Sequence, residues 1–386
     1  MSGSQEAGPP PNPEEFSTLF DVYEIQRDGD KVLYVGDPTP HSDELERKLW
    51  KFFDSHGYKI RFQRGYSGDD VQFSRGEFVL IAEPQSSDSG GGIPRTNLLL
   101  FVMTTFSTLL AGAVFWYQVP LTEHPLRVFE AWPFVVAIMG VLGVHELGHY
   151  VMSRYHGVDA SLPYFIPVPT IIGSLGAVIK IKGRIPNRKA LFDIGVAGPL
   201  AGLIATFIVT AIGLHLDPLA VQEPAQAAGD EPVVLFNHPP LLELIARVVG
   251  ASGQLENRVV HPVVFGGWVG MLVTLLNMLP VGQLDGGHIV RAMFGERHRT
   301  ISTLVPGALF GLAVYVFVTS SWRSMTIWIL WGIFAIGLAY AGPVTPIEDA
   351  KIDRKRFVLG IVTFVLAALC FTPIPIEIVD AAELAA

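Results

Sequence analysis

The sequence predicts an α-helical polytopic membrane protein of about seven transmembrane helices, with a re-entrant β-hairpin-like segment and a small N-terminal α+β soluble module. Three observations predict it. Of 386 residues, 50% are hydrophobic and only 16% charged, with mean hydropathy +0.40, too apolar for an ordinary soluble domain. Apolar runs of about 20 residues, the length that a bilayer crossing needs, recur from residue 97 onward. The chain ahead of them is polar and acidic.

Residues 1–15 are polar, rich in Pro and Gly and without a secretory signal pattern, and read as a disordered tail. Residues 16–84 read as the soluble module. VYEIQRDGDKVLYVGD predicts a hairpin turning at Asp28 to Asp30. SDELERKLWKFFDSHG predicts a helix with a Ser42 cap, an apolar stripe of Leu45, Leu49, Phe52 and Phe53, and a stop at Gly57. The stretch from Tyr58 to Glu83 reads as two or three further strands. A Gly- and Ser-rich linker, 85–96, follows.

The membrane domain is expected over 97–376. Its spans read as 97–118, 132–153, 191–216, 263–284, 301–320, 325–341 and 356–372. Lys and Arg concentrate in alternate loops, 154–190, 285–300 and 342–355. By the positive-inside rule these loops and the N-terminus face the cytosol. A prokaryotic plasma membrane is the expected location, and a plastid membrane also suits this topology.

Residues 160–190 break the helical pattern. They are apolar but full of Pro and Gly, and GAVIKIKGRI alternates as a strand does. Extended backbone at membrane depth survives only when buried in protein or lining a wet cavity. A re-entrant hairpin is therefore expected, with an edge strand over 173–182 able to pair with an extended substrate. Gly173, Ser174 and Gly176 are its candidate substrate-binding residues.

The apolar run VAIMGVLGVHELGHYVM holds His145, Glu146 and His149. Ionisable groups at the centre of a span cost about 2.5–3.5 kcal/mol each on insertion scales, so three within one turn point to function. Two histidines four apart project from one helix face and suit two nitrogens on one Zn2+. Glu146 then stands ready to take a proton from the attacking water. With Cys370 the only cysteine, any metal must be held by His and carboxylate.

A third ligand is needed. LVTLLNMLPVGQLDGGHIV ends the fourth span, with Asn277 and Pro280 inside it and Asp285 before a Gly pair. Pro280, Gly282 and that pair predict a broken helix that turns Asp285 back toward the metal. His288, lying further out, is the competing ligand. Asp193 reads as a structural acid at the start of the third span, bonding the re-entrant backbone or pairing with Arg184, Arg188 or Lys189.

HELGH at 145–149, paired with Asn277-x-x-Pro280-x-x-x-Leu284-Asp285-Gly286, resembles the site-2 protease family of intramembrane zinc metalloproteases. GSLGA at 173–177 and FDIGVAGPLAG at 192–202 are similar to further signatures of that family. The resemblance covers about residues 130–300. It implies one zinc ion on His145, His149 and Asp285, Glu146 as the catalytic base, and Asn277, with Pro280 beside it, at the substrate. It also implies a catalytic core over 132–290 and a membrane-protein substrate cut within or near its transmembrane segment, with a fragment released to the cytosol. The outer loop 217–262 is too short for the PDZ domain that some members insert, no CBS pair is expected after the seventh span, and the N-terminal module resembles that of archaeal, cyanobacterial and plastid members.

A net charge of −9 and the absence of a basic face exclude nucleic acid as the expected partner. Two alternatives stand beside the protease. A metal-ion transporter would need polar stations through the whole membrane, whereas His215 is the only one toward the outer side. A non-proteolytic metal-binding adaptor would have lost Glu146 or a ligand.

Overall fold

The structure, a computed structural model, describes residues 9–39, 43–67, 72–84, 94–182, 185–217, 233–256, 261–320, 322–346 and 350–379. The chain divides into two compact units, Met1–Gly92 and Ile93–Ala386.

In the first unit a short helix α1 (Pro13–Phe16) is capped by the Asn12 side chain. Strands β1 (Phe20–Asp28) and β2 (Lys31–Pro38) form the hairpin, turning through Gly29 at φ +58°. Helix α2 (Asp43–Ser55) is followed by β3 (Tyr58–Ser67) and β4 (Gln72–Pro84), two strands where two or three were expected. The sheet is antiparallel in the order β1-β2-β4-β3. The apolar stripe of α2 packs Leu45, Leu49 and Phe53 against Phe16, Tyr34 and Leu80. Order begins ahead of residue 16: Phe16 is buried, and the Tyr34 hydroxyl donates to the Pro11 carbonyl at 2.7 Å. Residues 1–8 of the expected tail, Ser42 and most of the linker lie outside the described residues.

The second unit is mostly helical. Helix α3 (Arg95–Ala111) runs into a π-helical turn, Gly112–Trp116. Helix α4 (Trp132–Tyr155) carries HELGH. Strands β5 (Tyr164–Pro167) and β6 (Ser174–Val178) pair antiparallel, and a bridge between Ala160 and Ile181 prolongs the ribbon. Helix α5 (Arg188–His215) starts at an Asn187 cap, whose side chain accepts from Ala190 N–H at 2.9 Å. Strand β7 (Val233–Phe236) and helices α6 (Pro240–Val248) and α7 (Ser252–Glu256) lead to α8 (Pro262–Asn277). Helices α9 (Asp285–Phe294), α10 (His298–Thr319), α11 (Trp322–Ala341) and α12 (Arg354–Leu369) follow. Strand β8 (Ile376–Val379) pairs antiparallel with β7.

Helices α4, α5 and α8 pack on one another, and α9 packs on α5. Small residues let them approach: a Cβ on Gly267 would fall 2.0 Å from Thr210 Oγ1, and one on Gly270 would fall 2.3 Å from Thr206 Oγ1.

Among the described residues five helices are long and apolar enough to cross a membrane: Arg95–Trp116, Pro125–Tyr155, Arg188–Leu214, Asp285–Thr319 and Trp322–Ala341. The expected fourth span is shorter, because its helix stops at Asn277 and the chain turns before Asp285. Its 16 residues rise about 24 Å, less than the hydrocarbon thickness of about 30 Å. The fifth expected span begins earlier, as α9 and α10 run on from Asp285 through a short 3-10 turn. The last helix, α12, has 16 residues.

Candidate metal centre

His145 and His149 lie one turn apart on α4, on the face turned toward α5 and α9, with His145 3% and His149 7% exposed. Their Nε2 atoms are 3.2 Å apart. Asp285, 140 residues after His145, opens α9. One of its oxygens lies 3.2 Å from His145 Nε2 and the other 3.2 Å from His149 Nε2. Among the described residues these three form a group whose ligand atoms all lie within 4.8 Å of one another. A tetrahedral zinc held at about 2.0–2.2 Å sets its ligands roughly 3.3 Å apart, so the spacing fits one such ion.

Second partners make the fit chemical as well as geometric. His149 Nδ1 donates to the Ile194 carbonyl at 2.8 Å. That bond leaves Nε2 as the lone-pair nitrogen, aimed at Asp285 and His145. The chain at Asp285 is shaped to deliver it: Gly282 adopts φ +54°, and a Cβ there would lie 2.3 Å from the Leu338 carbonyl. A Cβ on Gly286 would lie 2.2 Å from the Met278 carbonyl, so the returning helix start packs directly on the turn before it. The Pro280 carbonyl accepts from Ser302 Oγ at 3.0 Å, which holds that turn to α10.

Glu146 is buried beside the pair, and its Oε2 accepts from the Ile179 N–H at 2.9 Å. Ile179 directly follows β6, so the ribbon meets the carboxylate just past that strand. Helix α3 and the π-helical turn after it hold the ribbon at three points. Asn97 Nδ2 donates to the carbonyls of Leu162 at 2.8 Å and Pro163 at 3.0 Å, Trp116 Nε1 donates to Ile171 at 2.9 Å, and Ser107 Oγ donates to Gly173 at 2.5 Å. Among the described residues β5 is the only strand paired with β6.

Asn277 ends α8 with Nδ2 3.4 Å from His145 Nε2. Gly173, at φ +78°, sits in the ribbon's turn against α3, where a Cβ would fall 2.4 Å from Thr108 Cα. Ser174 Oγ accepts from the Gly176 N–H at 3.0 Å and lies 3.3 Å from the Ile166 carbonyl. Gly176, at φ +121°, has nothing within 4 Å of where a Cβ would stand. His288 lies one turn beyond Asp285 on α9 and is outside the ligand group; His215 bonds its own helix through the Ala211 carbonyl.

Asp193 departs from expectation. Its carboxylate takes a bidentate fork from Arg356 of α12, at 2.7 Å to each oxygen, and His156 Nε2 at 2.9 Å. Arg188 instead donates from Nε to the Ala292 carbonyl, and Lys189 is exposed. Arg184 lies outside the described residues.

Sequence reasoning also assigned no role to the glycines of FDIGVAGPLAG. A Cβ on Gly202 would lie 2.9 Å from His145 Nδ1, and one on Gly148 would lie 2.6 Å from the Ala197 carbonyl. The signal was present: glycines at 198 and 202 repeat the four-residue spacing of the histidines that they face.

A model of peptidase family M50 matches residues 133–318, which hold both halves of this centre. This stretch is thus similar to peptidase family M50. Relatives similar to this chain include two named "Probable zinc metalloprotease EGY1, chloroplastic". The Arabidopsis thaliana protein is 32% identical over 73% of this chain and 54% of its own length, and the Oryza sativa subsp. japonica protein 31% identical over 74% and 54%. "Probable zinc metallopeptidase EGY3, chloroplastic" of Arabidopsis thaliana is 29% identical over 92% of this chain and 63% of its own length. The chain thus spans about half the length of the first two relatives. No solved structure matches this chain.

Proposed function

We propose that this chain is a zinc-dependent membrane endopeptidase that hydrolyses a peptide bond within or beside a transmembrane segment of another membrane protein. The observation that carries the reading is the convergence of His145, His149 and Asp285 on one ion-sized space, with Glu146 alongside. The relatives named as zinc metalloproteases support the same metal.

In this reading His145, His149 and Asp285 hold one Zn2+, which when bound supplies Lewis acidity to the substrate carbonyl and the attacking water. Glu146 takes the proton from that water and returns it to the leaving amine. Asn277 donates to the substrate carbonyl region, and the Pro280 turn holds Asn277 and Asp285 in register. A transmembrane helix hides its carbonyls in its own hydrogen bonds, so the substrate must be held extended. The open edge of Ser174–Val178, with Gly173, Ser174 and Gly176, supplies a strand to pair with it, and Ile179 hands that edge on to Glu146.

The chain lies in a bilayer as about seven spans, with α8 and α12 completing the five longer helices and the β5–β6 ribbon re-entrant beside the centre. The Lys/Arg distribution sets the N-terminal module and the metal centre toward the cytosol or its plastid counterpart, and the product is released there. A prokaryotic plasma membrane fits this orientation, and the chloroplastic names of the relatives favour a plastid membrane as the other setting.

The test incubates purified protein with single-span membrane substrates, comparing wild type, Glu146→Gln and chelator-treated enzyme. Cleavage that stops in both altered samples supports the reading, and cleavage that persists in Glu146→Gln ends it.

A further inference from the structure

We infer that Asp193 and Arg356 are positioning residues for the metal centre, their ionic fork locking the helical turn whose Ile194 carbonyl orients His149. The inference rests on the zinc reading above and adds two residues that lie outside both ligand motifs. Arg356 also lies outside the stretch matched to the family.

The turn from Asp193 to Gly198 forms the bed of the centre. Ile194 supplies the acceptor for His149 Nδ1 at 2.8 Å. Gly195 lies against α9, where a Cβ would meet His288 Cβ at 3.3 Å and the Asp285 carbonyl oxygen at 3.6 Å. Gly198 leaves space for the His149 ring. Pro199 withholds the amide that the Gly195 carbonyl would otherwise use, so this turn lacks one of the hydrogen bonds that would stiffen it from within. Stiffness must come from outside.

Arg356 brings it. Its Nε and one terminal nitrogen grip the two Asp193 oxygens at 2.7 Å each, the short bidentate geometry that fixes direction as well as distance. The guanidinium is itself fixed. Its other terminal nitrogen bonds Asp353, and Asp353 caps α12 by accepting from the Arg356 N–H at 3.1 Å. His156, just beyond the end of α4, meets the same carboxylate at 2.9 Å. One acid therefore ties the end of the HELGH helix, the foot of α5 and the foot of α12, one residue from the carbonyl that sets the His149 ring. Groups that orient a ligand in this way govern metal affinity though they never touch the ion.

The experiment uses full-length protein in detergent and measures zinc affinity by competition with a chromophoric chelator, and the ligand-field spectrum after Co2+ substitution. Arg356→Ala and the isosteric Asp193→Asn should each weaken zinc about 10–100-fold, the range for an outer partner, and shift the Co2+ bands. The double variant should be no worse than either single one, because both act on one turn. Arg356→Lys, which keeps the charge but not the fork, should fall between. If Arg356→Ala does not fold, Asp193→Asn carries the test. Wild-type zinc affinity and wild-type Co2+ bands in folded Asp193→Asn would overturn the inference, as would a loss of affinity that disappears when corrected for the folded fraction. Zinc binding unaltered in His149→Ala would instead overturn the metal reading on which it rests.

Discussion

Gly198 faces His149 so closely that a Cβ placed on it would fall 2.0 Å from Nε2, the atom that looks toward Asp285. Helix α5 is thus cut to the outline of the imidazole. Gly198→Ala is expected to push the ring off its position, and overpacking of this kind costs about 1–3 kcal/mol. Zinc titration should show affinity lost in Gly198→Ala while helix content by circular dichroism is kept. Wild-type affinity in the folded variant would refute it.

Asp285 is the proposed ligand that joins two distant parts of the chain. Removing it in Asp285→Ala should lower zinc affinity well beyond the roughly 10–100-fold typical of an outer partner. His288→Ala should leave affinity close to wild type. Equilibrium dialysis with zinc analysis separates the two, and the opposite ranking would make His288 the ligand.

Gly176 tests the ribbon. Its φ of +121° is a glycine conformation, and a Cβ would meet no neighbour, so Gly176→Ala adds backbone strain alone, about 1–3 kcal/mol. Turnover of a membrane-embedded substrate should fall while zinc content stays at one per chain. Turnover equal to wild type would remove the edge strand from the proposed mechanism.

The N-terminal unit offers a pH test of its own. Burial, with Tyr58 nearby, holds the Tyr34 hydroxyl well above its ordinary value of 10. The folded phenol stays neutral where the unfolded one ionises, so stability is full below pH 10 and declines as pH rises past it. Tyr34→Phe should cost about 1 kcal/mol near neutrality by losing the bond to Pro11, and should decline less in alkali. Urea unfolding of residues 1–92 across the alkaline range measures both, and equal alkaline slopes would contradict the assignment.

Much of the centre was legible because its chemistry is local. Two histidines four apart must share a helix face, and Pro280 with Gly282, Gly286 and Gly287 can only interrupt a span. The ends of spans were less legible: hydropathy runs on through residues 278–284, although the backbone turns there so that Asp285 can begin a new helix. The partner of Asp193 was beyond reach, since periodicity nominates neighbours on one helix and Arg356 lies 163 residues away. The Ile194 carbonyl was invisible in principle, because every residue has one. Only packing decides which of them meets an imidazole.

The pairing of Val233–Phe236 with Ile376–Val379 bears on how the protein is made. The earlier strand leaves the ribosome long before its mate, and pairings that close so long a loop form late. Asn237 Nδ2 reaches the Ile374 carbonyl at 2.7 Å, and Trp328 Nε1 the Pro373 carbonyl at 2.7 Å, so two earlier segments wait on the same later stretch. The fold is sewn shut across more than 130 residues of chain, and the segment from Pro373 to Val379 must be made before the seam can form.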